Sequence, residues 1–489
     1  MNRPIRMLAI GCMVLFLALL ANANYVQFVK ADALNDRTDN RRVRDAEFSR
    51  ERGPILVAGE AAAESTPSQD RYRYQRVYTR PTLFAHITGH YSYIYGASGV
   101  ELTQNDILSG SADALLVDRV VDMVTDEPPQ GGNVLLTLDP AAQRAAHQGL
   151  LDLPADSKGA VVAIEPDTGA VLAMSSVPGY DPNVLASHDL GAVQRAWEQL
   201  TEDQDQPLLN RAIQNRYPPG STFKLVTAAA ALSDGYTPRS KVTGTAVLNL
   251  PLTDRTLGND SGGDCGGDTI SLTTALAVSC NTAFADLGMK LGPEALRDQA
   301  EKFGFGSDGD DILDELAGTV GSVFPADPDQ PSTAYSAIGQ FEVAATPLQM
   351  AMVVAGIAND GTVMQPYLVD EVRSPDLDTL SEADPEPLSQ AVEPGVAADL
   401  QMMMVAVTTD GTGGVAAIPG IDVGSKTGTA QTSEARNPYA WFVSFAPADD
   451  PQVAVAVFVE ADGVNRNDIS GSGLGGPIAK SVMQAVIGP

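Results

Sequence analysis

Histidine, cysteine and lysine are scarce in this 489-residue chain, which has four histidines, three cysteines and eight lysines. No histidine follows His188, so a histidine base for chemistry in the later part of the sequence would have to come from upstream. His86 and His90 lie four residues apart and suggest a metal pair, but no third ligand string accompanies them. We therefore interpret them as packed side chains, and the sequence predicts no metal site and no cofactor.

Positive charge is also in short supply. The formal net charge is −31, and the acidic residues are spread along the chain rather than gathered in one tail. Such a surface repels polyanions, which argues against nucleic acid as a partner and against a polyanionic substrate. A chain of this length exceeds the size of one hydrophobic core, so two or more domains are expected.

The amino terminus departs from this acidic composition. Arg3 and Arg6 precede an apolar run over residues 7–20, and a second apolar stretch prolongs the run to residue 29. That segment is long enough to cross a bilayer with its start in the cytoplasm, which makes it a candidate membrane anchor. Ala21-Asn22-Ala23 has the small-x-small form of a cleavage site, so a removed signal peptide is the alternative. Both interpretations predict export of the remaining chain.

Three regions are predicted along the chain. Residues 1–30 form the cytoplasmic tail and transmembrane anchor, residues 31–145 a small pedestal, and residues 146–489 a larger domain. The pedestal region begins with a charged, poorly apolar segment up to residue 52, which we expect to be a solvated stalk. Residues 374–394, rich in proline and acidic residues, are typical of an exposed insertion.

Strand patterns occur at both ends of the third region and bracket a helix-rich middle. Pro166-Asp167-Thr168-Gly169 is a turn sequence between two apolar runs and predicts a hairpin. Further strands are predicted over residues 426–431, 441–445 and 453–459, with an apolar helix after residue 477. The sequence therefore predicts an α+β fold, in which an antiparallel sheet is assembled from distant parts of the chain and packed by helices.

Three short strings carry the chemistry of this region: Ser221-Thr222-Phe223-Lys224, Ser279-Cys280-Asn281 and Lys426-Thr427-Gly428-Thr429. Serine is a weak nucleophile until a neighbouring base accepts its proton. Lys224 lies one helical turn after Ser221 on the same face, so it is the candidate base. Ser221 is predicted at a helix N-terminus, where negative charge on its oxygen is favoured. Burial and a nearby cation, for which Lys426 is the candidate, lower the pKa of a lysine.

In this order, the three strings are the signature of penicillin-binding proteins and serine β-lactamases. The chain resembles a class B penicillin-binding protein, a monofunctional peptidoglycan D,D-transpeptidase, and is most similar to the actinobacterial penicillin-binding protein A type. The resemblance extends over nearly the full length. Its supporting strings are Arg52-Gly53-Pro54-Ile55, Thr137-Leu138-Asp139, the hairpin from Glu165 to Met174, Tyr217-Pro218-Pro219-Gly220 and Ser336-Ala337-Ile338-Gly339-Gln340.

The resemblance implies a β-lactamase-like transpeptidase domain preceded by a dimerisation-like pedestal and a single-pass anchor, with the catalytic domain outside the cell membrane. It favours an uncleaved anchor. It also implies peptidoglycan stem peptides and β-lactam antibiotics as ligands, and a membrane-embedded cell-wall glycosyltransferase as a partner.

Roles for individual residues follow from the same resemblance. Ser221 would attack the penultimate D-Ala carbonyl of a stem pentapeptide, with Lys224 as base. Ser279 would pass the proton to the leaving amine, Asn281 would hold Lys224 and the substrate amide, and Lys426 would set the electrostatics. The backbone N–H groups of Ser221 and Thr429 would form the oxyanion hole. The substrate-binding residues would be Thr427, Gly428 and Thr429.

Two cysteines, Cys265 and Cys280, lie in the exported part of the chain. Cysteines in an oxidising compartment are commonly paired, and closing a loop of about 15 residues stabilises a fold by roughly 3 kcal/mol in the chain-entropy model. We predict this disulfide, with two unlinked thiols as the alternative. The bridge would rigidify the segment that carries Ser279 and Asn281.

Several related activities share these motifs. A serine β-lactamase would need a device to activate water, and no E-x-x-L-N string lies between Ser279 and Lys426. A penicillin-acylated sensor and a D,D-carboxypeptidase remain alternatives. A bifunctional glycosyltransferase-transpeptidase is disfavoured, because only about 100 residues separate the anchor from the catalytic domain.

Overall fold

The computed structural model describes residues 2–30, 34, 41–115, 130–432 and 436–488. The chain begins with the helix Asn2–Asn24, which continues as a π-helical turn over Tyr25–Val29. Within these elements, Arg3–Val29 is long and apolar enough to cross a membrane, with a mean hydropathy of 2.2 and no residue buried against the rest of the chain. This helix fits a single-pass membrane anchor. A signal sequence has the same length and composition, so cleavage stays an open prediction.

A five-stranded antiparallel sheet, here called the catalytic sheet, forms the centre of the larger domain. Its strands come from both ends of that domain, as predicted. In spatial order they are Gly424–Ala430, Tyr439–Ala446, Val453–Ala461, Ser157–Ile164 and Val171–Val177. The α+β class predicted from the sequence is confirmed.

The catalytic sheet is apolar on both faces. Alternate residues of a strand face opposite sides, so an uninterrupted apolar run such as that in Val453–Ala461 requires cover on each side. Val455 and Val457 belong to a core with the helices Pro140–Leu151 and Gly476–Ile487, whereas Ala456 and Phe458 belong to the core on the other face. The result is three layers, with the sheet between helices.

The second face of the sheet is covered by the helix-rich middle of the chain. Pro347–Ala358 contacts the central strands, and all twelve of its residues are buried. That explains its lack of an amphipathic pattern, since a helix surrounded by core has no solvent face. The other helices of this layer are Lys224–Ser233, Leu272–Ala277, Asn281–Leu291, Pro293–Lys302, Gly309–Ile312, Gln330–Ser336 and Pro394–Asp410.

A six-stranded mixed sheet, here called the pedestal sheet, lies in the amino-terminal part. In spatial order it contains Thr379–Glu382, Val369–Arg373, Asn133–Leu136, Ile55–Val57, Glu60–Pro67 and Tyr74–Tyr78. Its first two strands come from far along the chain. Residues 374–394, predicted as an exposed insertion, are largely exposed but also contain Pro387–Gln390, which pairs with Thr362–Met364.

The expected solvated stalk is wrong from residue 41 onwards. Arg41–Glu47 is a helix, and Phe48 after it is buried against Tyr72, Tyr91 and Tyr93. Arg52, at the end of the segment, forms a buried ion pair of 2.6 Å with Glu101. The charged composition of the segment gave no indication that Phe48 and Arg52 are buried. Residues 31–33 and 35–40, also part of that prediction, lie outside the described residues.

The remaining described elements are short or peripheral. The helices are Pro81–Thr88, Gly99–Thr103, Asn105–Leu108, Asn183–Ala186 and Leu190–Glu202. Three further strand pairs are Tyr91–Ser92 with Gly96–Ala97, Lys241–Thr243 with Thr269–Ser271, and Val247–Asn249 with Thr256–Gly258. Residues 259–268, between Thr256–Gly258 and Thr269–Ser271, form a loop that is one wall of the site described next.

Candidate active site

Ser221 lies in a tight turn that enters a buried helix. The turn is a 3-10 helix over Gly220–Phe223, and the α-helix Lys224–Ser233 continues it. Two hydrogen bonds hold the residues that precede Ser221. The indole N–H of Trp441 donates to the Pro218 carbonyl at 2.9 Å, and the Gly220 N–H donates to the Gly339 carbonyl at 2.9 Å. Ser221 itself is 5% exposed. Its hydroxyl makes no hydrogen bond with any other described residue and is therefore available to a ligand.

Two glycines let this turn approach the edge strand Gly424–Ala430. Gly220 has a φ of +54°, and a Cβ there would lie 3.0 Å from the Ala430 Cα. A Cβ on Gly428 would lie 2.9 Å from Thr222 Cγ2 and 3.1 Å from the Pro219 carbonyl oxygen. The close contact between the S-x-x-K turn and the K-T-G strand therefore depends on the absence of side chains at both positions.

Lys224 is fully buried and contacts the S-x-N segment. Its Nζ donates to the backbone carbonyl of Ser279 and to Oδ1 of Asn281, both at 2.6 Å, and lies 3.2 Å from the Ser279 hydroxyl. Asn281 opens the helix Asn281–Leu291, so its side chain is fixed at a helix end. The structure thus brings the first two strings together across a separation of 55 to 57 residues.

Lys426 reaches the same hydroxyl from the catalytic sheet. Its Nζ donates to Ser279 Oγ at 2.9 Å and to the Thr427 carbonyl at 2.8 Å. Its strand forms one edge of the sheet. The Thr427 hydroxyl is hydrogen bonded to that of Thr412 at 2.7 Å. All three strings therefore meet at Ser279, whose hydroxyl lies between two lysines.

Ser279 occupies a strained backbone position, with a φ of +58°. A non-glycine residue in the left-handed region is uncommon, and such positions cluster at functional sites. The next residue, Cys280, is joined to Cys265 by a disulfide with a Cα–Cα distance of 5.8 Å. The pair of cysteines singled out in the sequence is thus linked, and the link ties the loop before Thr269–Ser271 to the S-x-N segment.

Burial disfavours the charged forms of both lysines, and the charge of Lys426 adds to this effect at Lys224. Desolvation lowers the pKa of Lys224 well below its ordinary value, and the charge of Lys426 lowers it further. Desolvation lowers the pKa of Lys426 to about 7. The negative charge of Asp260 acts in the opposite direction on the pKa of each lysine. Lys224 is therefore the member of the pair that is neutral first, which suits a general base.

Two cavities meet at Ser221. One has a volume of about 680 Å³ and is lined with hydroxyl groups, among them those of Ser279, Thr412, Thr427 and Thr429. The other, of about 210 Å³, is lined by Asn281, Tyr335, Ile338 and Gln340 among other residues. Ser221, Asp260 and Thr429 line both. Ser221 therefore lies where the two cavities join.

Some contributing residues were not singled out from the sequence. Asp260 accepts a hydrogen bond of 3.3 Å from the Asn281 side chain, and Thr412 supports Thr427. Neither belongs to a recognisable motif, because their positions follow from how loops fold over the site. The only available signal for Asp260 was the run of asparagine, aspartate, serine and glycine over residues 259–264, which is typical of a loop.

The histidines take no part in this site. His86 and His90 both pack edge-on against Tyr180, and Nε2 of His86 lies 2.9 Å from the Pro207 carbonyl. Burial lowers the pKa of each to about 4, so both rings are neutral at physiological pH. No cluster of three or more histidine, cysteine, aspartate or glutamate side chains suited to a metal ion occurs among the described residues.

Comparison with known proteins agrees with this geometry. The sequence profile of the penicillin binding protein transpeptidase domain matches residues 159–484, and that of the penicillin binding protein A dimerisation domain matches residues 52–134. The chain belongs to the penicillin-binding protein transpeptidases. The resemblance stated from the three motifs is confirmed, as are the transpeptidase fold and the assignment to serine acyltransferases inhibited by β-lactams.

Full-length relatives share the same organisation. The chain is 44% identical over 495 residues to the peptidoglycan D,D-transpeptidase PbpA of Mycolicibacterium smegmatis, covering 100% of this chain and 99% of that protein. It is 41% identical over 497 residues to PbpA of Mycobacterium tuberculosis, with coverage of 100% and 99%.

Solved structures of penicillin-binding protein A from M. tuberculosis superpose on this transpeptidase. The ceftriaxone acyl-enzyme complex has a TM-score of 0.87 at 40% identity, covering 91% of this chain and 100% of that one. The penicillin G acyl-enzyme complex has a TM-score of 0.85 at 40% identity, with coverage of 90% and 100%. Those proteins form covalent adducts with β-lactams on a fold that this chain shares.

Proposed function

We propose that this penicillin-binding transpeptidase cross-links peptidoglycan through an acyl-enzyme on Ser221. The single observation that carries the proposal is the convergence of Lys224 and Lys426 on the Ser279 hydroxyl, 3.2 and 2.9 Å away, beside Ser221. Ser221 lines the same cavity as Ser279, so a proton acceptor and a positive charge lie near the proposed nucleophile. The donor is the D-Ala-D-Ala end of a stem pentapeptide, and the acceptor is an amine of a neighbouring stem.

The first half-reaction begins when neutral Lys224 takes the Ser221 hydroxyl proton. The two N–H groups of a neutral amine are occupied by the Ser279 carbonyl and Asn281 Oδ1, which leaves its lone pair for this proton. The Ser221 oxygen bonds to the carbonyl carbon of the penultimate D-Ala. The bond from that carbon to the terminal D-Ala nitrogen then breaks. The proton returns to this nitrogen through the Ser279 hydroxyl, and D-Ala leaves.

The K-T-G strand supplies substrate binding in this proposal. Thr427 and Thr429 line the larger cavity, where their hydroxyls bind the terminal carboxylate of the donor, and the positive charge of the buried Lys426 behind them attracts that carboxylate. The N–H groups of Ser221 and Thr429 stabilise the oxyanion. Gly428 keeps the strand close enough to the Ser221 turn for both contacts. In the second half-reaction, the acceptor amine attacks the ester carbon and its proton passes to Lys224. The bond from that carbon to the Ser221 oxygen then breaks, and Lys224 returns the proton to this oxygen, which restores the Ser221 hydroxyl and the neutral amine.

Hydrolysis of the same acyl-enzyme would make the protein a D,D-carboxypeptidase or a β-lactamase-like enzyme, and an acyl-enzyme that never turns over would make it a sensor. To separate these activities, lipid-linked pentapeptide substrate is incubated with and without an acceptor strand. We expect cross-linked dimer and one D-Ala released per cross-link. Free tetrapeptide as the sole product contradicts the transpeptidase assignment.

We also propose the cellular arrangement. Residues 1–30 anchor the chain with its arginines in the cytoplasm, residues 31–145 form the pedestal, and residues 146–489 form the catalytic domain outside the membrane. A membrane-embedded cell-wall glycosyltransferase supplies the glycan strand that this enzyme cross-links. Accessibility of an introduced cysteine to a membrane-impermeant reagent tests the topology, and labelling from the cytoplasmic side alone contradicts it.

The nucleophile is tested with a fluorescent penicillin. Wild type and Ser261→Ala, a serine that lines the same cavity, are expected to be labelled. Ser221→Ala is expected to lose labelling completely, because the proposed covalent bond to penicillin forms at the Ser221 oxygen. Lys224→Ala is expected to lose it while keeping the thermal unfolding midpoint within a few degrees. Covalent label retained by Ser221→Ala removes the assignment.

A further inference from the structure

Lys224 and Lys426 are two buried bases whose hydrogen-bond partners are all neutral. Within the described chain, the two ammonium groups contact the Ser279 carbonyl and hydroxyl, Asn281 Oδ1 and the Thr427 carbonyl. Both lysine side chains have no exposed surface. A buried charge without an anionic partner is strongly disfavoured. A negative charge beyond these direct contacts therefore has a large effect on the protonation of the two lysines.

Asp260 is the carboxylate that supplies such charge. It interacts electrostatically with both Lys224 and Lys426 and favours the charged form of each. It also accepts a 3.3 Å hydrogen bond from Nδ2 of Asn281, and the same Nδ2 donates to the Gly258 carbonyl at 3.4 Å. With its nitrogen held on that side, the Asn281 amide presents its oxygen to Lys224. A reversed amide would place N–H groups against the lysine instead.

The loop that carries Asp260 is fastened to the S-x-N segment at several points. The Asn259 side chain accepts from the Thr282 N–H at 3.1 Å and donates to the Gly263 carbonyl at 2.9 Å. The disulfide of Cys265 with Cys280 closes the loop further along. These contacts hold the exposed Asp260 close to the Asn281 side chain, although Asp260 lies on an irregular segment.

We propose that Asp260 is a positioning residue, which orients the Asn281 amide toward Lys224 and supplies the negative charge that offsets the lysine pair. The inference rests on the roles proposed above for the two lysines. It adds a residue outside the three motifs to the machinery, one that acts through Asn281 and through space.

The proposal predicts a shift in the pH dependence of acylation. Acylation needs neutral Lys224 and charged Lys426, so its rate rises with pH as Lys224 loses its proton and falls as Lys426 does. Asp260 favours the protonated form of both lysines, so Asp260→Asn should move both limbs of the profile to lower pH. We expect about half a pH unit, because an exposed carboxylate is screened by solvent.

Other titratable groups near the two lysines also contribute charge to the pH profile, so a control variant is needed. Along the two cavities, the described titratable side chains are those of Asp260, Asp264 and Tyr335, and the two lysines lie behind them. Asp264 provides a matched control, because Asp264→Asn removes the same charge from the same cavity wall. Asp264 accepts a hydrogen bond from the Gly266 N–H, which asparagine retains, whereas the Asn281 side chain is hydrogen bonded to Lys224, Gly258 and Asp260.

The experiment measures the second-order rate constant of acylation by penicillin between pH 5 and 9, at low and high salt, for six full-length proteins: wild type, Asp260→Asn, Asp260→Glu, Asp260→Ala, Asp264→Asn and Lys224→Ala. We expect the shift in Asp260→Asn, partial restoration in Asp260→Glu, and a wild-type profile in Asp264→Asn. High salt should reduce the difference. Asp260→Ala should in addition slow acylation about fivefold, the effect of one lost hydrogen bond.

Superimposable profiles of wild type and Asp260→Asn overturn the inference, and so does an equal shift in Asp264→Asn, which would indicate general surface charge. Thermal unfolding midpoints identify a variant that fails to fold, and Asp260→Glu then supplies the comparison with wild type. Lys224→Ala separates the two levels of the argument. Wild-type acylation in that variant contradicts the proposed function, whereas its loss together with unshifted Asp260→Asn contradicts only the role of Asp260.

Discussion

Lys426 donates a hydrogen bond of 2.9 Å to the hydroxyl of Ser279, although 147 residues separate the two in sequence. The same hydroxyl lies 3.2 Å from Nζ of Lys224. The positive charge of one lysine is therefore close to the other. After desolvation, this charge is the largest cause of the lowered pKa of Lys224.

Substitution Lys426→Gln tests this electrostatic coupling. Removing a like charge raises the pKa of Lys224, so the acidic limb of the acylation profile should move to higher pH. The maximum rate should also fall, by about tenfold or more, because the positive charge proposed to attract the carboxylate of the ligand is gone. The measurement is the penicillin acylation rate constant across pH 5 to 9.

Lys241→Gln serves as the control for Lys426→Gln, because Lys241 is exposed on a short peripheral strand. Its profile should match that of wild type. An acidic limb that stays in place in Lys426→Gln would show that the two lysines titrate independently.

Gly220→Ala tests the approach of the Ser221 turn to the edge strand. Gly220 has a φ of +54°, and an added Cβ would lie 3.0 Å from the Thr429 carbonyl oxygen and the Ala430 Cα. We expect the turn to move away, so that acylation falls at least tenfold, with a loss of stability of about 1–3 kcal/mol from backbone strain.

Gly235→Ala is the matched control, because Gly235 has a φ of +95° but nothing lies within 4 Å of an added Cβ. It should lose about 1 kcal/mol of stability from the same kind of strain and keep wild-type acylation. Equal acylation in both alanine variants would mean that close contact between turn and strand is unnecessary.

The disulfide is expected to support both stability and activity. Cys265 and Cys280 are 15 residues apart, and a bridge that closes such a loop contributes roughly 3 kcal/mol in the chain-entropy model. Cys265→Ser should lower the free energy of unfolding by up to that amount and slow acylation, because Ser279 and Asn281 are the two sequence neighbours of Cys280. Cys12→Ser, which removes the unpaired cysteine, should change neither quantity. Unaltered denaturation and acylation in Cys265→Ser would contradict a structural role.

The sequence was sufficient to predict the catalytic sheet and the motif residues, because both are encoded in local patterns. Apolar runs around Pro166-Asp167-Thr168-Gly169 specify a hairpin, and the scarcity of histidine left lysine as the base. The convergence of Lys224 and Lys426 on the Ser279 hydroxyl depends on a fold that brings distant segments together. No local pattern specifies that fold, so the expectation depended on the resemblance to penicillin-binding proteins.

Features that depend on tertiary contacts alone could not be predicted. Val369–Arg373 joins the pedestal sheet beside Asn133–Leu136, and nothing in either segment specifies a partner so far away in sequence. Phe48 is buried although its neighbours are charged, because three tyrosines from a later segment surround it. Asp260 gained its position from hydrogen bonds made by adjacent loop residues. In each case, the position depends on contacts that the local composition does not specify.

The partly buried carboxylate of Glu315, near the junction of the two sheets, predicts a dependence of stability on pH. Glu315 accepts hydrogen bonds from the backbone N–H groups of Leu368 and Val369, and its own carbonyl accepts from Thr103 Oγ1 at 2.7 Å. It therefore links helix Gly99–Thr103 of the amino-terminal part to the start of a pedestal strand. Desolvation raises the pKa of Glu315 to about 7.

A carboxyl group with a raised pKa in the folded state contributes its stabilisation below its unfolded pKa of 4.5, and this contribution is lost as the pH rises through about 7. The corresponding decrease in the free energy of unfolding is at most roughly 3 kcal/mol, because one pKa unit equals about 1.4 kcal/mol. Glu315→Gln keeps one acceptor oxygen and does not titrate, so its stability should decrease less than that of wild type between pH 5 and 8. Denaturant unfolding at both pH values measures the difference. Parallel decreases in the two proteins would mean that Glu315 titrates in the folded protein as it does in water, and that the junction contains no proton-dependent contact at this position.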